Sequence, residues 1–107
     1  MIETVTSRSG LAIRLTAERW THITEEHAEL AGWRHEVMEA VAQADRVVAG
    51  GAGELLAVRR QSDGKWLVVV YREEAVDGFI ITAFLTRRDA ALNRRKQLWP
   101  SPTLPNS

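Results

Sequence analysis

Two segments set acid–base side chains in a patterned apolar frame: Trp20-Thr21-His22-Ile23-Thr24-Glu25-Glu26-His27-Ala28-Glu29-Leu30 and Phe79-Ile80-Ile81-Thr82-Ala83-Phe84. The first holds two of the chain's three histidines, and histidine exchanges protons near neutral pH. As a helix it lines up Trp20, Ile23, His27 and Leu30 at spacings of three, four and three residues, so His27 points where core residues point. An imidazole there is either a hydrogen-bonded core residue or the floor of a site where helix meets sheet. His22 lies five positions earlier, about 140° around an ideal helix. The two rings therefore share a small site only if the helix ends or bends between them. Zinc is disfavoured, because the usual helical pair is four residues apart and the chain has no HExxH. His35, between Arg34 and Glu36, reads as surface.

Charge is unevenly placed although it totals zero. Residues 1–58 hold five basic and nine acidic side chains, net −4, and residues 59–107 hold nine basic and five acidic, net +4. Arg59, Arg60, Arg72, Arg87, Arg88, Arg94, Arg95 and Lys96 could form a basic surface suited to a phosphate-bearing ligand. Solubilising strand ends and a charged tail account for the same residues.

The elements that must position these groups read in order as hairpin, helices and sheet. Glu3 to Arg8 and Leu11 to Leu15 flank Ser9-Gly10, a tight-turn signal. Thr16 caps a helix expected to run to about Leu30, with Glu18 in its first turn. Ala31-Gly32 interrupts, and Trp33 to Ala44 resumes with Trp33, Val37, Val41 and Ala44 at helical spacing. Beyond Asp45 the chain reads as four antiparallel strands: Arg46 to Ala49, Glu54 to Arg60, Lys65 to Arg72 and Phe79 to Thr86. Ser62-Asp63-Gly64 is the strongest hairpin turn. Leu67 to Val70 is apolar without alternation, as in a central strand covered on both faces. Thr82 is expected to share a strand face with Ile80 and Phe84, where a β-branched residue is also simply a good strand former. The fold expected is α+β: two N-terminal helices packed on a four-stranded antiparallel sheet, preceded by a short β-hairpin. Residues 1–97 form the single domain, and 98–107, with three prolines, form a tail or docking arm.

Composition bounds the function. At 107 residues the chain encloses one hydrophobic core. With no cysteine, disulfides and thiolate zinc sites are excluded, and a cytoplasmic location fits. The longest apolar stretches fall far below the roughly 18 to 20 residues of a membrane-crossing helix, and no secretory signal is visible at the N-terminus.

Trp20-x-His22-Ile23-x-x-x-His27-x-Glu29-Leu30, a second helix, Leu67-Val68-Val69-Val70 and Ile80-Ile81-Thr82-Ala83-Phe84 together resemble the phage- and toxin-associated nuclease domains of the barnase, EndoU, colicin and RelE-like superfamily. The resemblance covers roughly residues 12–88. It departs at Ala28, where such domains often carry proline, which loosens the expected helix break. The resemblance implies a metal-independent endoribonuclease without a cofactor, with His22, His27 and Thr82 catalytic and Tyr71, Arg72 and Arg87 binding substrate. Its implied partners are an RNA substrate and an antitoxin or immunity protein; apart from the resemblance, a homo-oligomer is a further candidate assembly, and the short apolar stretches give no membrane partner. Such cleavage needs a base for the ribose 2′-hydroxyl, an acid for the leaving oxygen and cationic groups for the phosphate. Two other functions fit the same residues. One is a catalytically silent domain that binds RNA or a protein. The other is a structural or oligomeric domain of a mobile-element protein, whose four tryptophans and proline tail serve an interface.

Overall fold

The structure, a computed structural model, describes residues 2–102. Its elements are β1 (Ile2–Thr6), β2 (Ala12–Thr16), α1 (Ala17–Glu26), α2 (Arg34–Ala42), β3 (Arg46–Ala49), β4 (Leu55–Arg60), β5 (Trp66–Glu73), β6 (Asp77–Thr86), α3 (Asp89–Asn93) and β7 (Gln97–Trp99). The expected four-stranded antiparallel sheet is corrected to a seven-stranded mixed sheet among the described residues, ordered β1-β2-β6-β5-β4-β3-β7. β3 to β6 pair antiparallel in succession, but β2 joins β6 in parallel and β7 joins β3 at the far edge. The N-terminal hairpin is thus part of the sheet, because β6 would otherwise present an unpaired edge. The expected tail likewise gives Leu98 and Trp99 to β7; its last residues, 103–107, lie outside those described.

The helical connection covers one face of the sheet. Ile23, Leu30, Val37, Met38, Ala40 and Val41 are buried there against Ile13, Leu15, Val47, Ala57, Leu67, Val69, Tyr71, Ile80 and Ala83, while Trp20 and Trp33 pack partly buried around them. This is where the amphipathic stripe of each helix finds its apolar partner. On the other face Val48, Leu56, Val58 and Val68 pack with Leu92 of α3, flanked by Trp66, Val70 and Phe84. The run Leu67 to Val69 is fully buried because its residues alternate between two covered faces.

Two local features differ from the expected elements and both bear on the site. Thr16 caps α1 as expected, its hydroxyl accepting from the Arg19 N–H at 3.0 Å. The helix, however, stops at Glu26, not Leu30. His27 leaves helical geometry at φ −130°, and Ala28–Leu30 form a 3₁₀ turn. The break occurs with alanine at position 28, so it does not require proline. In β6 the register shifts between Val70 and Tyr71, which pair with Thr82 and Ile80. Ile81 is the extra residue of a β-bulge, and it reverses the alternation. Ile80 therefore belongs to the helix-covered core, while Thr82, opposite Val70, shares the other face with Phe84.

Candidate functional site

β2 pairs only with Asp77–Phe79 of β6, so the later part of β6 has no strand on that side. The chain leaving β2 becomes α1, which lies along this free edge. Arg19 donates to the Ile81 carbonyl at 3.4 Å, and the His27 ring stands 6.3 Å from that of Phe84. The helix break is what lets His27 turn from the core stripe toward Phe84. Its side chain is about one-third exposed, and Nδ1 lies 3.7 Å from a Glu29 carboxylate oxygen. Beside them Glu29, Lys65, Leu85, Thr86 and Arg87 line an open cleft of about 280 Å³. Three parts of the fold build it: the 3₁₀ turn, the start of β5 and the end of β6. Arg87 is oriented by donating to the Asp63 carbonyl in the β4–β5 turn. That turn takes positive φ at Asp63 and Gly64, as a tight hairpin requires.

The remaining expected site residues do not join this cleft. His22 stays on the exposed flank of α1, its Nε2 3.3 Å from Glu26 one turn on. Thr82 has a buried hydroxyl with no hydrogen-bond partner among the described residues, and the bulge places it on the face away from α2. Tyr71 is corrected from substrate binding to core: it is 1% exposed. Burial, with Glu73 adding to it, pushes its phenol well above the usual tyrosine range. Arg72 pairs opposite Phe79 and donates to the Ala52 carbonyl at 3.1 Å, bracing the glycine-rich turn after β3. That turn also holds the Glu54 carboxyl below the usual carboxylate range, chiefly through the Ala52 and Glu54 backbone N–H groups, against desolvation, with Arg72 and Arg95 adding charge. Arg72, on β5 level with Phe79, and Arg87, just past the end of β6, are roughly 25 Å apart along the strand direction. They cannot serve one phosphate.

Lys65 and Thr86 were missed as site residues, and strand pairing is the signal that reveals them. Trp66 pairs with Thr86, so the residue before β5 and the residue after β6, Lys65 and Arg87, come level. Glu29 belonged to the recognised segment but acquires its place only when the helix stops before it. Among the described residues no three His, Cys, Asp or Glu side chains gather as a metal site, and no helix is long and apolar enough to cross a membrane.

A scan against protein-family models, a search of curated proteins and a search of solved structures each returned no match for this chain.

Proposed function

We propose that this protein is a metal-independent ribonuclease whose working cleft is the one beside His27. The observation that carries the reading is an open cleft that joins the Glu29 carboxylate to the cations Lys65 and Arg87, with the accessible His27 imidazole 3.7 Å from Glu29. In this reading Glu29, 3.7 Å from Nδ1, closes to hydrogen-bond distance and holds the Nδ1 proton, which leaves Nε2 as the acceptor for a ribose 2′-hydroxyl proton. The 2′-oxygen then attacks the adjacent phosphorus and the bond to the 5′-oxygen breaks. The imidazolium returns its proton to that leaving oxygen, so one histidine serves both halves and a 2′,3′-cyclic phosphate remains. Lys65 and Arg87 stabilise the charge on the non-bridging oxygens as it develops, Arg87 with a planar donor set. The residue pattern shared with toxin-associated nucleases favours the same chemistry, a cytoplasmic RNA as substrate and an antitoxin or immunity protein as partner.

The test is incubation of the purified protein with a mixed RNA in EDTA. Cleavage should persist, leave cyclic phosphate ends and be lost in His27→Ala. An intact parent protein that leaves RNA uncut would end the catalytic reading in favour of a silent binding domain.

A further inference from the structure

A second opening lies at the other end of the α1–β6 seam, and the proposed chemistry does not use it. Arg14, Thr16, Arg19, Phe79 and Ile80 line a cleft of about 270 Å³ there. It adjoins a second depression formed by Thr16, Glu18, Arg19 and His22. Both arginines are held in place by the fold. Arg14 gives one Nη to Asp77 at 2.6 Å and lies over the Phe79 ring, 5.6 Å from its centre. Arg19 gives one Nη at 3.4 Å to the carbonyl of Ile81, the extra residue of the β-bulge. The other Nη and the Nε of each guanidinium have no partner among the described residues, so prepositioned donors from two elements meet at one cleft. The cleft does not depend on the helix N-terminus, since Thr16 already takes the Arg19 N–H. Glu18 lines only the half beside His22; in the other half Asp77 already takes one Nη of Arg14, and the remaining donors of Arg14 and Arg19 suit an anion.

We infer that this opening is a distal nucleotide subsite, in which Arg14 and Arg19 hold one phosphate of a single-stranded RNA and the partly buried Phe79 supports its base. The inference rests on the proposed ribonuclease reading for the identity of the strand. Phe79 of this opening and Arg87 of the other lie roughly 25 Å apart along β6, so the two openings would engage one strand at phosphates several nucleotides apart. A π-face on Phe79 accepts any base, so the subsite adds affinity for length without reading sequence.

Non-cleavable 2′-O-methyl oligoribonucleotides, two and six residues long and fluorescein-labelled, separate this subsite from catalysis when their binding is followed by anisotropy. The parent should bind the six-residue strand more tightly than the two-residue one. Arg14→Gln/Arg19→Gln should weaken the longer strand about tenfold and flatten its salt dependence by about 0.7 in log–log slope, one phosphate's worth on a single strand. The shorter strand should be unaffected, whereas Arg87→Gln should weaken both. Circular dichroism confirms that each variant is folded. A double variant that binds the longer strand like the parent overturns the subsite even if RNA cleavage is found. Length-dependent binding that needs Arg14 and Arg19 sustains it even if no cleavage is found.

Discussion

α1 carries one histidine within it and another just past its end, and they differ in what the rest of the fold brings to each. His22 remains on the exposed flank of a regular helix and meets Glu26 of the same helix. His27 has left the helix, packs beside Phe84, and lies 3.7 Å from Glu29, which lines a cleft to which the ends of two strands contribute Lys65, Thr86 and Arg87. An imidazole on a helix flank has neighbours set by the helix alone. One at the helix end, against a sheet, receives partners from elements distant in sequence. Proton transfer beside a phosphate needs the second arrangement.

The largest test of that difference is a pair of single variants assayed on mixed RNA. His27→Ala should lower turnover by about two to four orders of magnitude, while His22→Ala should stay within about twofold of the parent. Equal losses would return both rings to one site and break the contrast. Next in size, Arg87→Gln should lower turnover by about a hundredfold, through lost charge stabilisation. Arg72→Gln, level with the far end of β6, should leave cleavage unchanged. An Arg72 variant as impaired as the Arg87 variant would move the cleft to the wrong end of the strand.

Tyr71 sharpens the boundary between core and cleft. It is the only tyrosine of the chain, so absorbance reads its ionisation alone. Burial raises its folded pKa above the unfolded value. The corresponding stability is therefore complete below about pH 10 and is lost as pH rises above it, with a slope of up to about 1.4 kcal/mol per pH unit. Phenolate should appear together with unfolding, and Tyr71→Phe should remove that alkaline slope without changing cleavage at neutral pH. Phenolate formation near pH 10 in a protein still folded by circular dichroism would place Tyr71 within reach of solvent.

How far these features were legible follows from the range over which each is determined. The Thr16 cap, the Val37 and Val41 stripe of α2, the Asp63-Gly64 turn and the buried run Leu67 to Val69 are written in residues a few positions apart, and each was readable. The parallel pairing of β2 with β6 joins segments about 65 residues apart through a contact of three residue pairs, for which no local pattern exists. β7 is three residues long, too short for alternation to show beside its prolines. The bulge at Ile81 is a one-residue shift inside an apolar run where either register keeps hydrophobic side chains inward, which is why the face of Thr82 was misread. The cleft depended on two such features, the helix break at His27 and the level pairing of Lys65 with Arg87. Individual site residues were therefore visible while their grouping was not.

The smallest expected effect concerns stability at the same two histidines. His22 forms an i,i+4 pair with Glu26 in which both side chains are more than half exposed. Such pairs contribute about 0.2 to 0.5 kcal/mol, and solvent screening places this one at the low end. His27 is about two-thirds covered and lies against Phe84 with the rings tilted by 37°. An aromatic contact of this kind contributes about 0.5 to 1.5 kcal/mol, and the His27 backbone N–H bond to Ile23 survives a side-chain change. His27→Ala should therefore lower the urea midpoint measurably, and His22→Ala should leave it nearly in place, with the slope against urea unchanged in both. Coincident midpoints would mean that the Phe84 contact contributes nothing to folding. The distinction between the two ends of α1 would then rest on the cleft's chemistry alone.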